Sequence, residues 1–205
     1  MSERLPEGWK WVRLGEVCAV FSGSSAPQEK KYFENGKYPF VRAQDLGRYG
    51  RTTNLTDIKD HINEIAIKEL NLVKAEKGTI LFPKSGAAIT TNNRAILGTD
   101  AFIVSHLAAI KPKEGIADIY FVYYWLCLID MVQYMENPGY PSLKLSTISK
   151  ICIPLPSLDT QRRIATYLKE KMAYVEKLKV SIEKQLEAIN VLPQAILRKA
   201  FRGEL

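Results

Sequence analysis

The chain has 205 residues, 46% hydrophobic and 25% charged, a composition ordinary for a soluble globular protein of one domain, or of one domain with an appendage. Cys18, Cys127 and Cys152 are odd in number and far apart, which excludes a disulfide framework and a metal-ligand spacing and suits reduced thiols in a cytoplasmic protein. The formal net charge of +7 is compatible with a polyanionic partner without demonstrating one: residues 1–156 hold 19 basic and 16 acidic side chains, and residues 157–205 hold 10 and 6.

In chain order, the polar start MSERLPEGWK has no signal-peptide pattern. Strands are predicted over residues 11–21, 38–42, 79–82, 102–110 and 151–155, each rich in β-branched or aromatic side chains. Helices are predicted over residues 60–70 and 116–135, and in the second Ile119, Val122, Tyr123, Leu126 and Ile129 recur at helical spacing. Within it, YFVYYWLCLI is the longest apolar run, too short to span a bilayer and better suited to a buried helix. Two irregular segments, residues 22–37 and 83–93, fill the gaps, and loops of that length are usually functional or disordered.

The composition changes after Pro154 and Pro156. Ser157 suits an N-cap, Leu158 opens a helix, and Asp159 lies in the first turn, where its charge complements the dipole. Thr160 stands where a capping box would place Glu or Gln. The helix is predicted over residues 158–190, roughly 50 Å at 1.5 Å per residue. Leu168, Val175, Ile182 and Ile189 recur every seven residues, with Ile164, Met172, Leu178 and Leu186 on the same face. So narrow a seam suits a coiled coil, whereas a helix lying on its own domain usually carries a wider stripe; that docking is the other reading. Pro193 is expected to kink or restart the helix before Gly203 stops it.

Enzymatic signals are sparse. NPGY at residues 137–140 resembles the Asn-Pro-Pro-Tyr tetrapeptide of amino-methyltransferases, which holds a flipped adenine. Such an enzyme also needs a Gly-rich turn for S-adenosylmethionine, and FSGSS at residues 21–25 lacks its second glycine. A self-contained adenine-specific DNA methyltransferase is therefore the alternative rather than the leading reading, and the tetrapeptide reads as a turn whose Tyr140 packs or touches a ligand. His61 and His106 are isolated, and FPKSG at residues 82–86 lacks the leading glycine of a P-loop. No catalytic residue and no metal site are predicted.

Two polar segments look like a binding surface instead. YPFVRAQDLGRYGR (residues 38–51) leaves a strand and presents Arg42, Gln44, Arg48 and Arg51. PKSGAAITTNNRAI (residues 83–96) presents Lys84, Ser85, Thr91, Asn92, Asn93 and Arg94. Arg pairs bidentately with guanine and Asn or Gln with adenine, while Ser, Thr and Lys suit phosphates. These residues, with Tyr140 and Lys144, are the predicted DNA contacts, although a surface Asn-Asn-Arg is most often a turn.

The whole chain resembles half of a specificity subunit of a type I restriction–modification enzyme. LPEGWKWVRLGEV (residues 5–17) is similar to the start of the family's target recognition domain, and KYPFVRAQDL and ILFPKSGAAI follow in the family's order. PGYPSLKLSTISKICIPLPSLDTQRRIATYL (residues 138–168) and LPQAILRKAFRGEL (residues 192–205) resemble its most specific signatures, with Thr160 replacing the glutamate that usually precedes Gln161. Full-length members carry two target recognition domains and two conserved helices that pair antiparallel and set the distance between half-sites. S-adenosylmethionine and the methyltransferase chemistry belong to the modification subunits, which restriction subunits can join.

The resemblance therefore implies a non-catalytic DNA-recognition subunit without a cofactor of its own. Its partners would be double-stranded DNA, modification subunits and a second copy, with no membrane; the chain is either a half-subunit acting as a homodimer or a piece of a longer gene product. The implied fold is α+β: a target recognition domain over residues 1–156, then a helical region over residues 157–205 pairing as an antiparallel coiled coil through Ile164, Leu168, Met172, Val175, Leu178, Ile182, Leu186 and Ile189. A third reading is an assembly protein that pairs through its helix without reading DNA.

Overall fold

The apolar runs at residues 80–82 and 107–110 are buried without alternation, which marks strands covered on both faces rather than strands with one wet side. The computed structural model, which describes residues 5–135 and 141–204, places them in a mixed α+β domain. In order its elements are β1 (Lys10–Arg13), α1 (Leu14–Val17), β2 (Cys18–Ser22), β3 (Tyr38–Val41), α2 (Ala43–Tyr49), β4 (Arg51–Leu55), β5 (Asp60–Ile62), α3 (Glu64–Glu69), β6 (Lys74–Ala75), β7 (Ile80–Pro83), β8 (Arg94–Leu97), β9 (Ala101–Ile103), β10 (Leu107–Pro112), α4 (Ile119–Leu128), α5 (Leu145–Ser149), β11 (Cys152–Leu155) and α6 (Leu158–Phe201). The chain divides into two compact units, Met1–Ala165 and Thr166–Leu205.

In the first unit a five-stranded sheet runs in the order β2-β10-β7-β8-β4, antiparallel except for the β4–β8 pair. A four-stranded sheet has the order β5-β3-β9-β6, with β3 and β9 parallel, and β1 pairs antiparallel with β11. Side chains alternate between the faces of a strand, so the five-stranded sheet serves two cores. Ile80, Phe82, Ile96, Ala108 and Ile110 enter one, filled by Phe121, Val122 and Leu126 of α4. Leu81, Ala95, Leu97, Leu107 and Ala109 enter the other, with Phe40, Leu46, Ile62 and Ile103.

Several predicted elements are divided. Residues 11–21 form two strands separated by α1, because Leu14 and Val17 are both buried; a three-residue spacing shares a helical face and not a strand face. Residues 102–110 split between β9 and β10, which belong to different sheets. Residues 60–70 begin as β5, and Asn63 then caps α3 by accepting the Ala66 amide at 3.1 Å. The helix predicted from residue 116 starts later, where Asp118 accepts the Phe121 amide at 3.0 Å, and α4 ends at Leu128. A 3₁₀ turn, Met131–Tyr134, follows it.

The start of α6 is bound into the first unit. Ser157 Oγ accepts the Thr160 amide at 3.4 Å and donates to Thr160 Oγ1 at 3.0 Å, so Thr160 joins the cap in place of an acidic residue. One turn on, Gln161 is only 1% exposed. Its Oε1 accepts the Asp118 amide at 2.9 Å, and its Nε2 donates to the carbonyls of Ile116 at 3.1 Å and Pro156 at 3.0 Å. Ala165 and Ile164 pack against the α4 core. Ile164, expected in the helical seam, is thus part of the first unit's own packing, three residues beyond the buried Gln161.

The helix runs for 44 residues through Pro193 to Phe201, about 66 Å at 1.5 Å per residue. The helix does not restart at Pro193 but continues through it. Proline removes one backbone hydrogen bond, but the residues beyond it (Gln194, Ala195, Ile196, Leu197, Arg198, Lys199) are mostly strong helix formers. In the second unit Met172, Val175, Leu178, Ile182, Leu186 and Ile189 are all exposed, and no helix of the described residues is long and apolar enough to cross a membrane.

Gln161→Ala removes three hydrogen bonds, to the Asp118 amide and to the carbonyls of Ile116 and Pro156, the last of them buried, so it should lower the unfolding free energy by about 2–3 kcal/mol in a urea titration. The three thiols are free. Burial pushes Cys18 up to about 12, so a thiol reagent at pH 8 should modify the exposed Cys152 rapidly and Cys18 only on unfolding.

Candidate nucleic-acid interface

The corner between β3 and α2 begins with Arg42, whose backbone amide donates to Asp45 Oδ2 at 2.8 Å and fixes the start of α2. Asp45 is buried and also accepts Arg48 Nη2 at 2.8 Å. Arg48 reaches Asp57 as well, 2.9 Å to its carbonyl, and the Tyr49 hydroxyl donates to the same Asp57 carboxylate. Arg48 is therefore matched by two acids of its own domain, unlike the free presentation expected from sequence. Arg42 donates from Nε to the Asp60 carboxylate and lies over the rings of Phe33 and Phe40, its guanidinium carbon 5.8 and 5.5 Å from their centroids. Its Nη groups have no partner among the described residues.

The loop after β7 is pinned from both sides. The Lys84 amide donates to the His106 carbonyl at 2.9 Å, the Leu143 amide to the Lys84 carbonyl at 2.7 Å, and the Gly86 amide to the Pro141 carbonyl at 2.9 Å. Ser85 Oγ lies 2.6 Å from His106 Nδ1. Arg42, Gln44, Ser85 and His106 together line a cavity of about 290 Å³. The structure thus brings together the two polar segments picked out in the sequence, and adds His106. That histidine is not isolated, but nothing local announces it: it sits in the turn between two apolar strands and meets Ser85 only because β7 and β10 pair.

Arg94 and Asn92 play a different part from the one expected. Arg94 is 1% exposed. Its Nε donates to the Leu126 carbonyl at 3.3 Å, Nη2 to the Ile129 carbonyl at 3.3 Å and to Asn92 Oδ1 at 3.2 Å, and Nη1 to the Asn93 carbonyl at 2.8 Å. The guanidinium carbon stands 4.9 Å from the Phe82 ring centroid. Burial lowers the Arg94 pKa to about 10, which leaves it charged at neutral pH. A cation against the last carbonyls of α4 is favoured by the helix dipole, so the interior holds Arg94 and removes it from the set of DNA contacts. Asn92, at φ +50°, donates from Nδ2 to Asp130 Oδ1 at 2.8 Å and accepts the Met131 amide at 3.2 Å. The pair braces the loop against α4 and the turn beyond it.

Of the remaining predicted contacts, Gln44, Arg51, Thr91 and Lys144 are exposed, while Lys84, Ser85 and Asn93 are half-buried. Thr91 Oγ1 donates to the Ala88 carbonyl at 2.7 Å. Tyr140, with the rest of NPGY, lies outside the described residues. FSGSS is a packing turn: Ser22 Oγ donates to the carbonyls of Ser105 and Leu107 at 2.9 and 3.0 Å. A Cβ at Gly23 would stand 1.9 Å from the Ile103 carbonyl oxygen, a proximity only glycine permits. Among the described residues no group of acids, histidines and cysteines is placed to hold a metal ion.

Arg94→Met keeps the bulk but strands at least two buried carbonyls, and should destabilise the domain by about 3 kcal/mol. Gln44→Ala, on the exposed rim, should leave the unfolding free energy within about 0.5 kcal/mol of the parent.

Residues 6–188 match the family model described as the type I restriction modification DNA specificity domain. The MjaIX type I restriction enzyme specificity subunit of Methanocaldococcus jannaschii is 31% identical over 210 residues, covering 100% of this chain and 46% of the relative. The EcoBI specificity subunit of Escherichia coli is 32% identical over 248 residues, covering 99% of this chain and 52% of the relative. Among solved structures, the HsdS subunit from Thermoanaerobacter tengcongensis aligns with a TM-score of 0.69 at 28% identity, over 100% of this chain and 47% of that one. A chain from a structure concerned with complex assembly and conformational transition of the type I R-M system aligns with a TM-score of 0.79 at 26% identity, over 100% of this chain and 48% of that one. The chain spans about half the length of the curated relatives it matches. A family match that runs from the first strand far into the long helix, over the fold described above, has one meaning: the chain belongs to the type I restriction–modification DNA specificity family.

Proposed function

We propose that the chain is a DNA sequence-recognition half-subunit of a type I restriction–modification enzyme. Residues 1–156 form the target recognition domain and read one half-site; residues 157–205 form the spacer, pairing antiparallel with the same helix of a second copy. The observation that carries this reading is the combination of one recognition-type domain with one 44-residue helix whose apolar seam, Met172 to Ile189, is exposed. Exposed apolar side chains at seven-residue spacing are what a coiled-coil partner covers. The family membership supplies the DNA, and the net charge of +7 has the sign for it.

Two identical readers related by a two-fold axis recognise a bipartite, palindromic target with one fixed gap. The helix length of about 66 Å sets an upper scale of about 19 base pairs for the distance that the paired helices bridge. Modification subunits carrying S-adenosylmethionine dock on this framework and perform the chemistry, and restriction subunits join them when cleavage is required. Within residues 1–156, Arg42, Gln44, Lys84 and Ser85 are the central contacts, and Arg51, Thr91, Asn93 and Lys144 are lesser ones.

Val175→Asp together with Ile182→Asp places two charges in the seam. Light scattering should report a monomer, while the recognition domain keeps its urea midpoint; a surviving dimer would locate the seam elsewhere. Binding separates the two classes of contact. Gln44→Ala should cost about 1–3 kcal/mol at one target position, whereas Lys84→Ala should weaken all duplexes alike and reduce the salt slope by about 1.

A further inference from the structure

We propose that the cavity between the β3–α2 corner, the loop after β7 and the β9–β10 turn seats one backbone phosphate of DNA, with His106 and Arg42 as its two clamps. The site rests on the DNA-reading function proposed above and deepens it. His106 is exposed, lies outside both polar segments that the sequence singles out, and its ring meets Ser85 Oγ.

Three features carry the assignment. The first is convergence: Arg42 and Gln44, Ser85 and Gly86, and Val104 and His106 reach one concavity of about 290 Å³ from three separate segments. The second is chemical sense. Arg42 is the charged group of the lining, its Nη donors are unmatched among the described residues, and no carboxylate lines the cavity. The two acids beside Arg42 are already engaged: Asp45 accepts its backbone amide and Arg48, and Asp60 accepts Arg42 Nε from the adjoining depression shared with Lys59 and His61. The third is pre-organisation. When Ser85 Oγ donates to Nδ1, the neutral imidazole carries its proton on Nε2, which is then free to donate to a ligand. The backbone behind both residues is fixed by the Lys84 amide on the His106 carbonyl at 2.9 Å.

A concave set of donors suits a group that protrudes from the duplex, which phosphates do. Base edges lie within the grooves and are met by side chains that project. Phosphate contacts fix register without carrying sequence information, so this seat positions the recognition domain, and the projecting readers around it do the discriminating.

The test uses the full chain assembled with its modification subunit, and target duplexes in which one phosphate at a time is replaced by a neutral methylphosphonate. His106→Ala, on an exposed turn, should fold normally, with an unchanged urea midpoint. It should lose roughly fivefold to tenfold in affinity for target and non-target duplexes alike, the scale of one charge-assisted hydrogen bond. One methylphosphonate position in each half-site should cost the parent chain a similar factor and cost His106→Ala nothing further. Ser85→Ala should lose a smaller factor, coupled to the same phosphate. The proposal fails if His106→Ala binds like the parent, if its loss is confined to one base-pair identity, or if no methylphosphonate position is coupled to it. A parent chain that binds no duplex overturns the DNA-reading function together with this site, whereas a binding parent with an uncoupled His106 overturns the phosphate seat alone.

Discussion

Burial of the central strands β7, β8 and β10 on both faces is the constraint from which the rest of the first unit follows. A strand with one wet face can shift register at the expense of one core; β7, β8 and β10 would have to disrupt two. Their ends are correspondingly well defined, and the polar segments that leave them inherit that precision. The loop after β7 and the β9–β10 turn are held together by the Lys84–His106 backbone bond, and the β3–α2 corner joins them across the cavity. The recognition surface proposed here, built from irregular loops, thus gains the rigidity of doubly covered strands without being part of them.

Two buried polar side chains extend this order to the elements outside the sheet, and both act on α4. Gln161 ties the first turn of α6 to the start of α4 through the Asp118 amide and the Ile116 carbonyl. Arg94 ties the loop after β7 to the other end of α4 through the carbonyls of Leu126 and Ile129. Buried polar groups are costly unless satisfied, and both are satisfied largely by backbone groups at or beside the ends of α4. One short helix therefore links the base of the long helix to the loop that lines the cavity.

The sequence makes the strongest patterns plain and hides what depends on distant neighbours. Ser157 and the seven-residue recurrence from Leu168 mark the long helix, and apolar runs mark β3, β7 and β11, because local periodicity is enough for those. Residues 11–21 and 102–110 mislead for the opposite reason: each is continuously β-prone, and only the tertiary packing of Leu14 with Val17, or the change of sheet after Ile103, divides it. The site follows the same rule. Asn92, Asn93 and Arg94 have the composition of a DNA contact, yet Arg94 and Asn92 turn inward because α4 offers them carbonyls and Asp130. His106 carries no local signal at all. Residue type narrows the chemistry; the pairing of strands decides which side chains face outward.

The central claim is that two identical chains, held by their helices, read DNA as a symmetric pair. Its most direct measurement is a genome-wide map of methylated sites in cells expressing the chain with its modification subunit and no other specificity subunit. A symmetric pair requires a single bipartite palindrome whose two halves are separated by one fixed gap. An asymmetric motif, a contiguous one, or an absence of methylation with this chain alone would contradict it.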